Sequence, residues 1–473
     1  MPPDIAAIAH GRDHKDVLVL GSGTGGTALA LHLAALGQRV AIVERRWAGG
    51  ACKNAACLPA KNLIWSARVV DLVRRHGERL VPAAKLVTVD MAQVRRRKRD
   101  MVDDLTAATL AALKTNHVEL VHGEGRFTAP RAIEVRTEDG APSVLTADRV
   151  IVNVGTHAAI PNIPGLSAAG ALTHLDALDL NHVPSHLIVL GGGYAGLEMA
   201  QAFRRFGSKV TVIEQGAQLA GQEDADLAAE IASILAEDGL DIITMARVLR
   251  VEGRPGLGLR LDVRCPSGRR VIEASHVLVA TGRVPNTAGI GLEAAGIDLE
   301  VNGYIRVNDR LETSAAATWA IGECAGSPHF THVSYDDFRI VRDNLAGGSR
   351  TTRNRLVPNC MFTDPPLARV GLNEAEARRL KIQIRVARTP MTAVLKTRTT
   401  GETAGFMKIV VDARSDRILG FAMIGPQAGE VMAVAQTAMI ARMPYTDLRD
   451  AVLAHPTMAE ALVTLLERVP QCV

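Results

Sequence analysis

The sequence is poor in cysteine, in uninterrupted apolar stretches and in net charge. Its 473 residues include six cysteines, too few for a disulfide scaffold, and a chain of this length can bury large cores without crosslinks. Lysines plus arginines exceed aspartates plus glutamates by 54 − 50 = 4, which is too small an excess to indicate nucleic-acid binding. With 47% apolar and 22% charged residues, the composition predicts an ordinary soluble globular protein. Its length suggests about three domains.

No stretch has the character of a membrane span. Residues 17–38 and 150–175 lack Asp, Glu, Lys and Arg, but glycines interrupt both stretches and prolines interrupt the second. The first 16 residues carry charges and lack the apolar centre of a secretory signal. We therefore expect a cytoplasmic protein with no membrane partner. In a reducing compartment, two closely spaced cysteines indicate a redox-active pair or a metal site.

A glycine-rich turn lies between two apolar segments near the start of the chain. Residues 17–20 have the composition of a buried parallel strand, and they lead into Gly21, Gly23 and Gly26. A helical pattern and a second strand follow, and that strand ends at Glu44. The glycines permit a tight turn, the helix start favours a pyrophosphate, and the acid can accept hydrogen bonds from a ribose. The complete order predicts a dinucleotide-binding unit.

The same unit occurs a second time. A strand at residues 187–190 leads into Gly191, Gly193 and Gly196, and a strand at 210–213 ends at Glu214. The distance from the first glycine to the acid is 23 positions in both units. This internal duplication predicts two bound dinucleotides, and such a pair suggests electron transfer between a flavin and a nicotinamide.

The remaining pattern predicts an α/β fold with two Rossmann-like dinucleotide-binding domains and a C-terminal α+β domain. Strand-like segments end in glycine turns at Gly155 and Gly282, and a third reaches Gly322 and Glu323. Beyond about residue 350, strands at 409–411 and 419–423 and helical patterns at 429–442 and 458–469 indicate a separate domain. We interpret the apolar face of the last helix as core or interface rather than as a ligand site.

Two cysteines follow the first unit closely. Cys52 and Cys57 lie between Gly49 and Lys61. They could be buried structural thiols or zinc ligands, although zinc needs four ligands and no second Cys/His pair lies close in sequence. A redox role requires the two thiols to meet. Residues five apart on an ideal helix are about 8–9 Å apart, whereas a disulfide tolerates about 7 Å at most. A distorted first turn, which the small residues Ala55 and Ala56 would allow, must bring them together.

Residues 49–61 resemble the redox motif of the flavin-dependent pyridine nucleotide–disulfide oxidoreductases, a family that includes dihydrolipoamide dehydrogenase, glutathione reductase and mercuric reductase. Further family motifs are matched by residues 123–127, 280–286 and 455–460. The resemblance covers nearly the whole chain. It implies a split FAD-binding domain at residues 1–158 and 285–350, an NAD-binding domain at 159–284, and a dimerisation domain at 351–473.

The resemblance also implies roles for individual residues. Cys57 is the thiol against the flavin, with which it forms a charge-transfer complex when reduced, and Cys52 is the interchange thiol that attacks the acceptor. Lys61 matches the lysine near flavin N5, Glu198 matches its acidic partner, and Tyr194 matches the aromatic gate where nicotinamide enters. The implied FAD contacts are Gly21, Gly23, Gly26, Glu44, Lys61, Gly125, Gly155, Gly322 and Glu323, the last replacing the usual Asp. The implied NAD contacts are Gly191, Gly193, Tyr194, Gly196, Glu214 and Gly282.

A catalytic base is expected from the partner subunit of a homodimer. His455 matches the family base and Glu460 matches the acid that orients it. Such a base would activate Cys52 and protonate the departing thiolate. Without the family, His455 beside Pro456 would be read equally well as a plain helix-entry residue.

Glu214 favours NADH over NADPH, because a carboxylate suits the free 2′-hydroxyl of NAD and repels a 2′-phosphate. Residues 215–221 contain no arginine that could bind that phosphate.

Departures from the family pattern bear on the acceptor. Lys53 replaces an apolar residue and could stabilise the Cys52 thiolate or attract an anion, or it could simply face solvent. Residues 330–343 and 362–371 resemble the reactive-chlorine-resistance flavoproteins, a mercuric-reductase-like branch. Cys472 stands alone near the C-terminus, where mercuric reductases carry a vicinal pair. Three cysteines are interpreted as buried or incidental thiols: Cys265, Cys324 and Cys360.

The leading hypothesis is a flavoprotein that passes electrons from NADH to a disulfide, a reactive oxidant or a thiophilic metal ion. Dihydrolipoamide dehydrogenase is the alternative, because the His–Glu pair is intact. A non-enzymatic redox sensor that kept the fold is a third possibility.

Overall fold

The computed structural model describes residues 14–80, 88–138 and 140–471. The chain divides into two compact units that alternate along the sequence. The first unit contains the described parts of residues 1–62, 95–159 and 282–355, and the second contains those of 63–94, 160–281 and 356–473. None of the described helices combines the length and the apolar character that a membrane crossing requires.

The first unit is built on a sheet whose central strands are parallel. In spatial order its strands are Glu119–His122, Val40–Glu44, His14–Leu20, Ser143–Val152, Ala132–Arg136 and Glu124–Ala129, and Thr318–Ala320 also pairs with Ser143–Val152. The first four are mutually parallel, whereas the last two pair antiparallel. A short ribbon pairs Thr156–Ala158 with Arg283–Pro285. The helices that contribute to this unit are Thr24–Ala35, Gly50–Asn54, Cys57–Leu80, Met91–Thr115 and Thr331–Leu345, with 3₁₀ turns at Leu292–Ala295 and Gly322–Ala325.

The apolar segment at residues 17–20 becomes a central strand because both of its faces are covered. Leu18 and Leu20 belong to one core cluster, whereas Val17 and Val19 belong to another. Alternate side chains of a strand point to opposite faces of the sheet. A strand buried on both faces has a continuous apolar sequence, which is the pattern observed here.

The second unit contains a parallel sheet and two antiparallel sheets. The parallel sheet has the order Asp241–Ile243, Lys209–Ile213, His186–Leu190 and His276–Val279. Beside it in sequence lies an antiparallel sheet of Arg247–Arg254, Gly258–Cys265 and Gly268–Ala274. Helices in this part are His174–Leu178, Tyr194–Phe206 and Ala225–Glu237.

The C-terminal part of the second unit has a five-stranded antiparallel sheet. Its strand order is Asn359–Met361, Leu367–Gly371, Ile418–Ile424, Phe406–Asp412 and Ile384–Pro390. Its helices are Glu374–Arg379, Leu395–Thr400, Ala428–Ile440, Tyr445–Arg449 and Ala461–Glu467, with a 3₁₀ turn at Met391–Ala393.

The expected α/β fold class is confirmed, with two parallel-sheet parts and a C-terminal α+β part. The expected domain boundaries at 158/159, 284/285 and 350/351 remain predictions. The last helix is shorter than the pattern at 458–469 predicted, because Thr457 organises a turn before it: its hydroxyl donates to Ala454 O and accepts from Glu460 N. The apolar face of this helix lies in the core, as expected.

Candidate active site

The two cysteines lie on either side of a helix break. Cys52 is the third residue of the short helix Gly50–Asn54, and Cys57 is the first residue of the helix Cys57–Leu80. Ala55 leaves the helical conformation with φ −145° and ψ −3°. The expected distorted turn is therefore a full break between two helices at Ala55 and Ala56. This break brings the two cysteine side chains within hydrogen-bonding reach of each other as free thiols.

The cysteine segment packs directly on the first glycine turn. Gly49 and Gly50 have φ values of 90° and 73°, which side chains rarely adopt. A Cβ atom on Gly50 would lie 2.7 Å from the Cα atom of Gly23. Glycine at position 50 thus allows the backbone before Cys52 to touch the predicted dinucleotide turn.

The pKa values of the two thiols are shifted in opposite directions. The hydrogen bond from the Cys52 thiol lowers the pKa of Cys57 to about 6, and Thr331 and Lys61 act in the same direction against burial. The Thr331 Oγ1 atom lies 3.4 Å from the Cys57 sulfur. The same thiol–thiol bond, together with burial, raises the pKa of Cys52 well above its usual value. The N-terminal position of Cys57 on its helix also favours the thiolate.

The first glycine turn has the shape of a dinucleotide cradle. A Cβ on Gly21 would lie 2.5 Å from Asn153 O, and one on Gly23 would lie 2.5 Å from Asn153 Oδ1. Asn153 Oδ1 also accepts a hydrogen bond from Gly26 N at 3.0 Å. Gly23 at the N-cap has no side chain to cap the helix Thr24–Ala35, and Asn153 accepts only from its third residue, so the amides of Thr24 and Gly25 can face a pyrophosphate. These residues fit the adenine-nucleotide half of FAD.

Glu44 stands at the end of the second strand, where the pattern placed it. Its Oε2 atom accepts from Ser22 N and Ser22 Oγ, each at 2.8 Å, and Oε1 accepts from Arg46 N at 2.8 Å. The carboxylate is therefore held at the glycine turn, as a ribose-binding acid must be.

The second glycine turn repeats this construction. Gly191 has φ 108°, and a Cβ there would lie 2.4 Å from Ala280 O. A Cβ on Gly196 would lie 2.2 Å from Gly191 O, so both positions require glycine. Glu214 Oε2 accepts from Gly192 N at 2.6 Å, the counterpart of the Glu44 contact. Gly193 precedes the helix Tyr194–Phe206, as Gly23 precedes its own helix. The geometry fits a second dinucleotide.

Tyr194 is held by Glu223, which Arg369 contacts in turn, and the sequence predicted neither contact. The Tyr194 hydroxyl donates to Glu223 Oε1 at 2.7 Å, and Glu223 Oε2 lies 3.3 Å from Arg369 Nε. Burial and the neighbouring Glu223 carboxylate raise the pKa of Tyr194. Burial likewise raises the pKa of Glu223, although Arg369 opposes the shift. Glu223 lies in none of the sequence motifs, and Arg369 lies in the segment 362–371, which gave it no role of its own.

Glu323 and Gly155 of the predicted FAD site lie around the ribbon Thr156–Ala158, as does Gly282 of the predicted NAD site. Glu323 is hydrogen-bonded by Thr156, and its Oε2 atom lies 3.1 Å from Arg283 Nε. The turns flanking the ribbon strands contain Gly155 with φ 63° and Gly282 with φ 130°. The contact of Glu323 with FAD remains a prediction.

Gly322 and Gly125 have local structural reasons to be glycine. Gly322 has φ 72°, and its N–H donates to Asp337 Oδ2 at 2.8 Å. A Cβ on Gly125 would lie 2.5 Å from Leu20 Cδ1 and 3.1 Å from Val43 Cγ1, so close packing favours glycine there. Their contacts with FAD also remain predictions.

Lys61 and Glu198 each lie on a helix. Lys61 lies on the helix that Cys57 begins, and its charge lowers the pKa of Cys57. Glu198 is buried in the helix Tyr194–Phe206, and its Oε1 atom accepts from Phe362 N at 2.8 Å. The pairing of Lys61 with Glu198 remains a prediction.

His455 and Glu460 meet as the resemblance implied. The Nδ1 atom of His455 lies 2.9 and 3.0 Å from the two carboxylate oxygens of Glu460. A carboxylate can only accept, so Nδ1 carries the proton and Nε2 of the neutral ring is available as a base. The imidazole is 59% exposed. An exposed imidazole oriented in this way suits a base that exchanges protons with a group on another molecule, such as a partner subunit.

The other cysteines are placed differently from the pair. Cys265 and Cys324 are buried and Cys360 is half-buried, whereas Cys472 lies outside the described residues. Among the described residues, one acidic group has the spacing of metal ligands, Asp224, Asp226 and Glu374. The Lys408 ammonium lies between these carboxylates, and no cysteine belongs to the group.

Two family profiles match the chain. The pyridine nucleotide-disulphide oxidoreductase profile matches residues 15–337, and the dimerisation domain of the same family matches residues 357–466.

Named relatives extend over nearly the whole chain. The probable pyridine nucleotide-disulfide oxidoreductase RclA of Escherichia coli is 34% identical over 96% of this chain and 98% of the relative. A dihydrolipoyl dehydrogenase of Thermus scotoductus is 34% identical over 96% of both chains. A mercuric reductase of Bacillus cereus is 31% identical over 97% of this chain and 72% of its own.

A solved structure has the same architecture. The Cu(II) complex of the HOCl-induced flavoprotein disulfide reductase RclA from Escherichia coli superposes with a TM-score of 0.87. It is 33% identical and covers 96% of this chain and 99% of its own. The expected family and its likeness to the reactive-chlorine-related branch are confirmed. All three named relatives are oxidoreductases, which favours an enzyme over a redox sensor. The chain belongs to the pyridine nucleotide–disulfide oxidoreductase family and is a flavoprotein oxidoreductase that uses FAD and a pyridine nucleotide.

Proposed function

We propose that the protein is a cytoplasmic homodimer that uses NADH to reduce a small oxidised acceptor at the Cys52–Cys57 pair. The observation that carries this proposal is the thiol pair at the helix break, with Cys57 poised as a thiolate and Cys52 as its hydrogen-bond donor. A pair of structural thiols would have no need of such an asymmetry. A low-pKa thiol beside a second thiol is typical of disulfide exchange centres.

The dithiol can reduce a disulfide in two exchange steps. The Cys52 thiol gives its proton to Nε2 of His455, and its thiolate attacks one sulfur of the acceptor, so that a mixed disulfide forms and the first thiolate leaves. That thiolate takes the proton from His455. The Cys57 thiolate then attacks the Cys52 sulfur, closes the Cys52–Cys57 disulfide and expels the second thiolate. The acceptor gains two electrons and the cysteine pair loses two.

FAD and NADH, when bound, supply the two electrons that restore the dithiol. The two glycine turns would hold the pyrophosphates of these cofactors, and Glu44 and Glu214 would accept hydrogen bonds from their riboses. Lys61 keeps a positive charge near Cys57, which favours the thiolate in the restored pair.

The acceptor is proposed to be a disulfide, a reactive oxidant or a thiophilic metal ion. RclA is described as HOCl-induced and was solved with Cu(II), and another relative is named a mercuric reductase. These names point to oxidants and thiol-binding metals. Dihydrolipoamide oxidation is the second candidate, because His455 and Glu460 form the pair that a dithiol substrate requires.

Turnover of an acceptor panel with NADH tests the proposal. The panel contains lipoamide, glutathione disulfide, hypothiocyanous acid, Cu(II) and Hg(II), and kcat/KM is compared among wild type, Cys52→Ser and Cys57→Ser. Both variants should lose acceptor turnover while retaining FAD and its bleaching by NADH. Full turnover in both variants would refute the dithiol mechanism.

The same variants separate the roles of the thiols. Oxidised Cys52→Ser protein should show a long-wavelength absorbance band between the Cys57 thiolate and the flavin, whereas Cys57→Ser protein should lack it. The opposite result would mean that the two roles are reversed. A ratio of kcat/KM that favours lipoamide over every oxidant and metal would select the second candidate.

A further inference from the structure

Lys53 follows the interchange thiol Cys52 in sequence, and a hydrogen bond holds its side chain in place. Its Nζ atom donates to Thr109 Oγ1 at 2.9 Å. The Thr109 hydroxyl donates its own proton to Leu105 O at 2.8 Å, so it can only accept from the lysine. Thr109 is 4% exposed, and the lysine is half-buried. A lysine that merely faced solvent would not be tied to a buried hydroxyl.

The side chain of the next residue, Asn54, links the segment around Lys53 to the same helix. The helix Met91–Thr115 carries Thr109 and also Thr106, whose hydroxyl donates to Asn54 Oδ1 at 2.8 Å. The amide of Asn54 in turn donates to Ala48 O at 3.0 Å and to Gly50 O at 2.9 Å. Lys53 and Asn54 are therefore both fixed against one helix, which limits where the ammonium group can lie.

The fixed ammonium group acts on Cys52. Its charge lowers the pKa of Cys52, in opposition to the Cys57 hydrogen bond and to burial, which raise it. Lys61 has the corresponding effect on Cys57. A lysine thus favours the thiolate at each cysteine, and the lysine that acts on the attacking thiol is the one that departs from the apolar residue usual in the family motif.

We propose that Lys53, positioned by Thr109, makes Cys52 selective for anionic acceptors by holding a positive charge where the acceptor meets the thiol. This inference rests on the proposed function, in which Cys52 is the attacking thiol. The substrate class is an oxidised species that carries negative charge near its reacting sulfur or oxygen. Thr109 acts only through Lys53 and is a positioning residue.

Alkylation of Cys52 tests the charge without any turnover. In the Cys57→Ser background, the modification of the Cys52 peptide by iodoacetate and by iodoacetamide is followed by mass spectrometry. These reagents have the same reacting carbon and differ in charge. Replacing Lys53 with Met should lower the iodoacetate-to-iodoacetamide rate ratio about fivefold at low salt, and about 0.5 M salt should remove most of the difference.

Further variants distinguish position from net charge. Lys53→Arg should keep the ratio near that of the parent, whereas Thr109→Val should lower it by less than Lys53→Met because the lysine remains but is untied. Lys114→Met is the control, since Lys114 is exposed on the helix that carries Thr109 and lies about 140° around the helix from it. It should leave the ratio unchanged. A ratio in Lys53→Met equal to that of the control would overturn the inference.

Turnover with paired acceptors completes the test. In the Cys57-containing enzyme, kcat/KM for 5,5′-dithiobis(2-nitrobenzoate), which is anionic, is compared with that for neutral 4,4′-dithiodipyridine. Lys53→Met should lose several-fold more with the anion, mainly in KM. If the alkylation ratio responds to Lys53 but neither disulfide is turned over at the cysteine pair, the proposed function fails while the charge effect stands. If both disulfides are turned over with unchanged selectivity, the inference fails alone.

Discussion

The thiolate at Cys57 depends on the donor beside it, and this dependence can be titrated. The Cys52 hydrogen bond is the largest influence that lowers the pKa of Cys57 to about 6. Cys52→Ser keeps an O–H donor, whereas Cys52→Ala removes it. The long-wavelength thiolate–flavin band should therefore have its midpoint near pH 6 in Cys52→Ser protein and at a higher pH in Cys52→Ala protein. Because the thiolate is the absorbing partner, the band is present above the midpoint and disappears as the pH falls through it.

The contribution of the neighbouring hydroxyl can be separated in the same titration. Adding Thr331→Val to the Cys52→Ser protein removes the Oγ1 atom that lies 3.4 Å from the Cys57 sulfur. The midpoint should rise, but by less than in Cys52→Ala. Equal midpoints in all three proteins would show that the helix N-terminus and Lys61 alone determine the pKa.

At this scale the sequence predicted the residues that lie close together along the chain. Cys52, Cys57 and Lys61 stand within one short segment, so their types and spacing carry the signal. Thr331 and Asn153 reach the same region from distant positions, and threonine and asparagine are too common for either to stand out. Only the fold brings them to the thiols and the glycine turn.

Among the elements, the second glycine turn predicts the nucleotide preference. Glu214 accepts from Gly192 N and Gly216 N, so its carboxylate is fixed at the turn where the ribose is expected. Wild-type protein should show a higher kcat/KM with NADH than with NADPH, measured by flavin bleaching. Glu214→Gln should reduce this ratio several-fold, because the repulsion of a 2′-phosphate is lost. Glu237→Gln, an exposed position on the helix Ala225–Glu237, is the control and should not change it.

A preference for NADPH in wild-type protein would show that the Glu214 carboxylate does not meet the ribose. Equal ratios in wild type and Glu214→Gln would mean that another group discriminates between the nucleotides.

A buried lysine holds together elements that are distant in sequence. Lys408, on the strand Phe406–Asp412, is 2% exposed, and its Nζ atom lies 2.5 Å from Asp224, 2.9 Å from Asp226 and 3.0 Å from Glu374. Replacing Lys408 with Met removes the buried cation, so that Asp224 loses its ion pair with Lys408, although the half-exposed Arg388 still pairs with Asp226 and Glu374. The free energy of unfolding should fall by about 3–5 kcal/mol, as for other broken buried ion pairs. Urea unfolding at pH 7 measures the loss.

A variant at the edge of the same cluster is the matched control. Arg378 is 73% exposed and its Nη2 atom lies 3.0 Å from Glu374. Arg378→Met should change the unfolding free energy by less than about 1 kcal/mol, since exposed ion pairs contribute little. Similar losses in the two variants would mean that Lys408 is not the centre of the cluster.

The sequence predicted which helices and strands form better than it predicted the residues at which they begin and end. The strand at residues 17–20 and both glycine turns were predicted because burial and steric crowding act locally. The end of the helix at Ala55 was expected only from the need to bring two thiols together. The late start of the last helix depends on the Thr457 hydroxyl, and a pattern of apolar residues does not report that contact.

For the whole molecule, the sequence revealed that the dinucleotide-binding unit is duplicated. It revealed less clearly that the two compact units alternate along the chain. The equal spacing of 23 residues in the two units identified two dinucleotide folds from the sequence alone. The alternation of the two compact units along the chain depends on which distant strands pair, as Thr318–Ala320 pairs with Ser143–Val152. A strand of three residues is too short for its sequence to predict which strand it pairs with.

The dimer is the feature of the whole molecule on which the proposed catalysis depends most. The family's dimerisation domain matches residues 357–466, and His455 is exposed with its Nδ1 atom held by Glu460. We predict a homodimer in which His455 of one subunit serves Cys52 of the other. Sedimentation should show a dimer. Cys52→Ser and His455→Ala proteins should each be inactive, or nearly so, in disulfide turnover.

Mixing these two inactive proteins separates a shared site from a self-contained one. If the subunits exchange freely, half of the dimers are hybrids, and each hybrid has one site with both an intact Cys52 and an intact His455. About a quarter of wild-type turnover should then return, because closed two-fold symmetry gives two equivalent sites per dimer. Co-expression of the two variants ensures exchange. If His455 served Cys52 of its own chain, no hybrid would contain a complete site and activity would stay at the level of the single variants. A fully active monomer would contradict both the dimer and the role of His455.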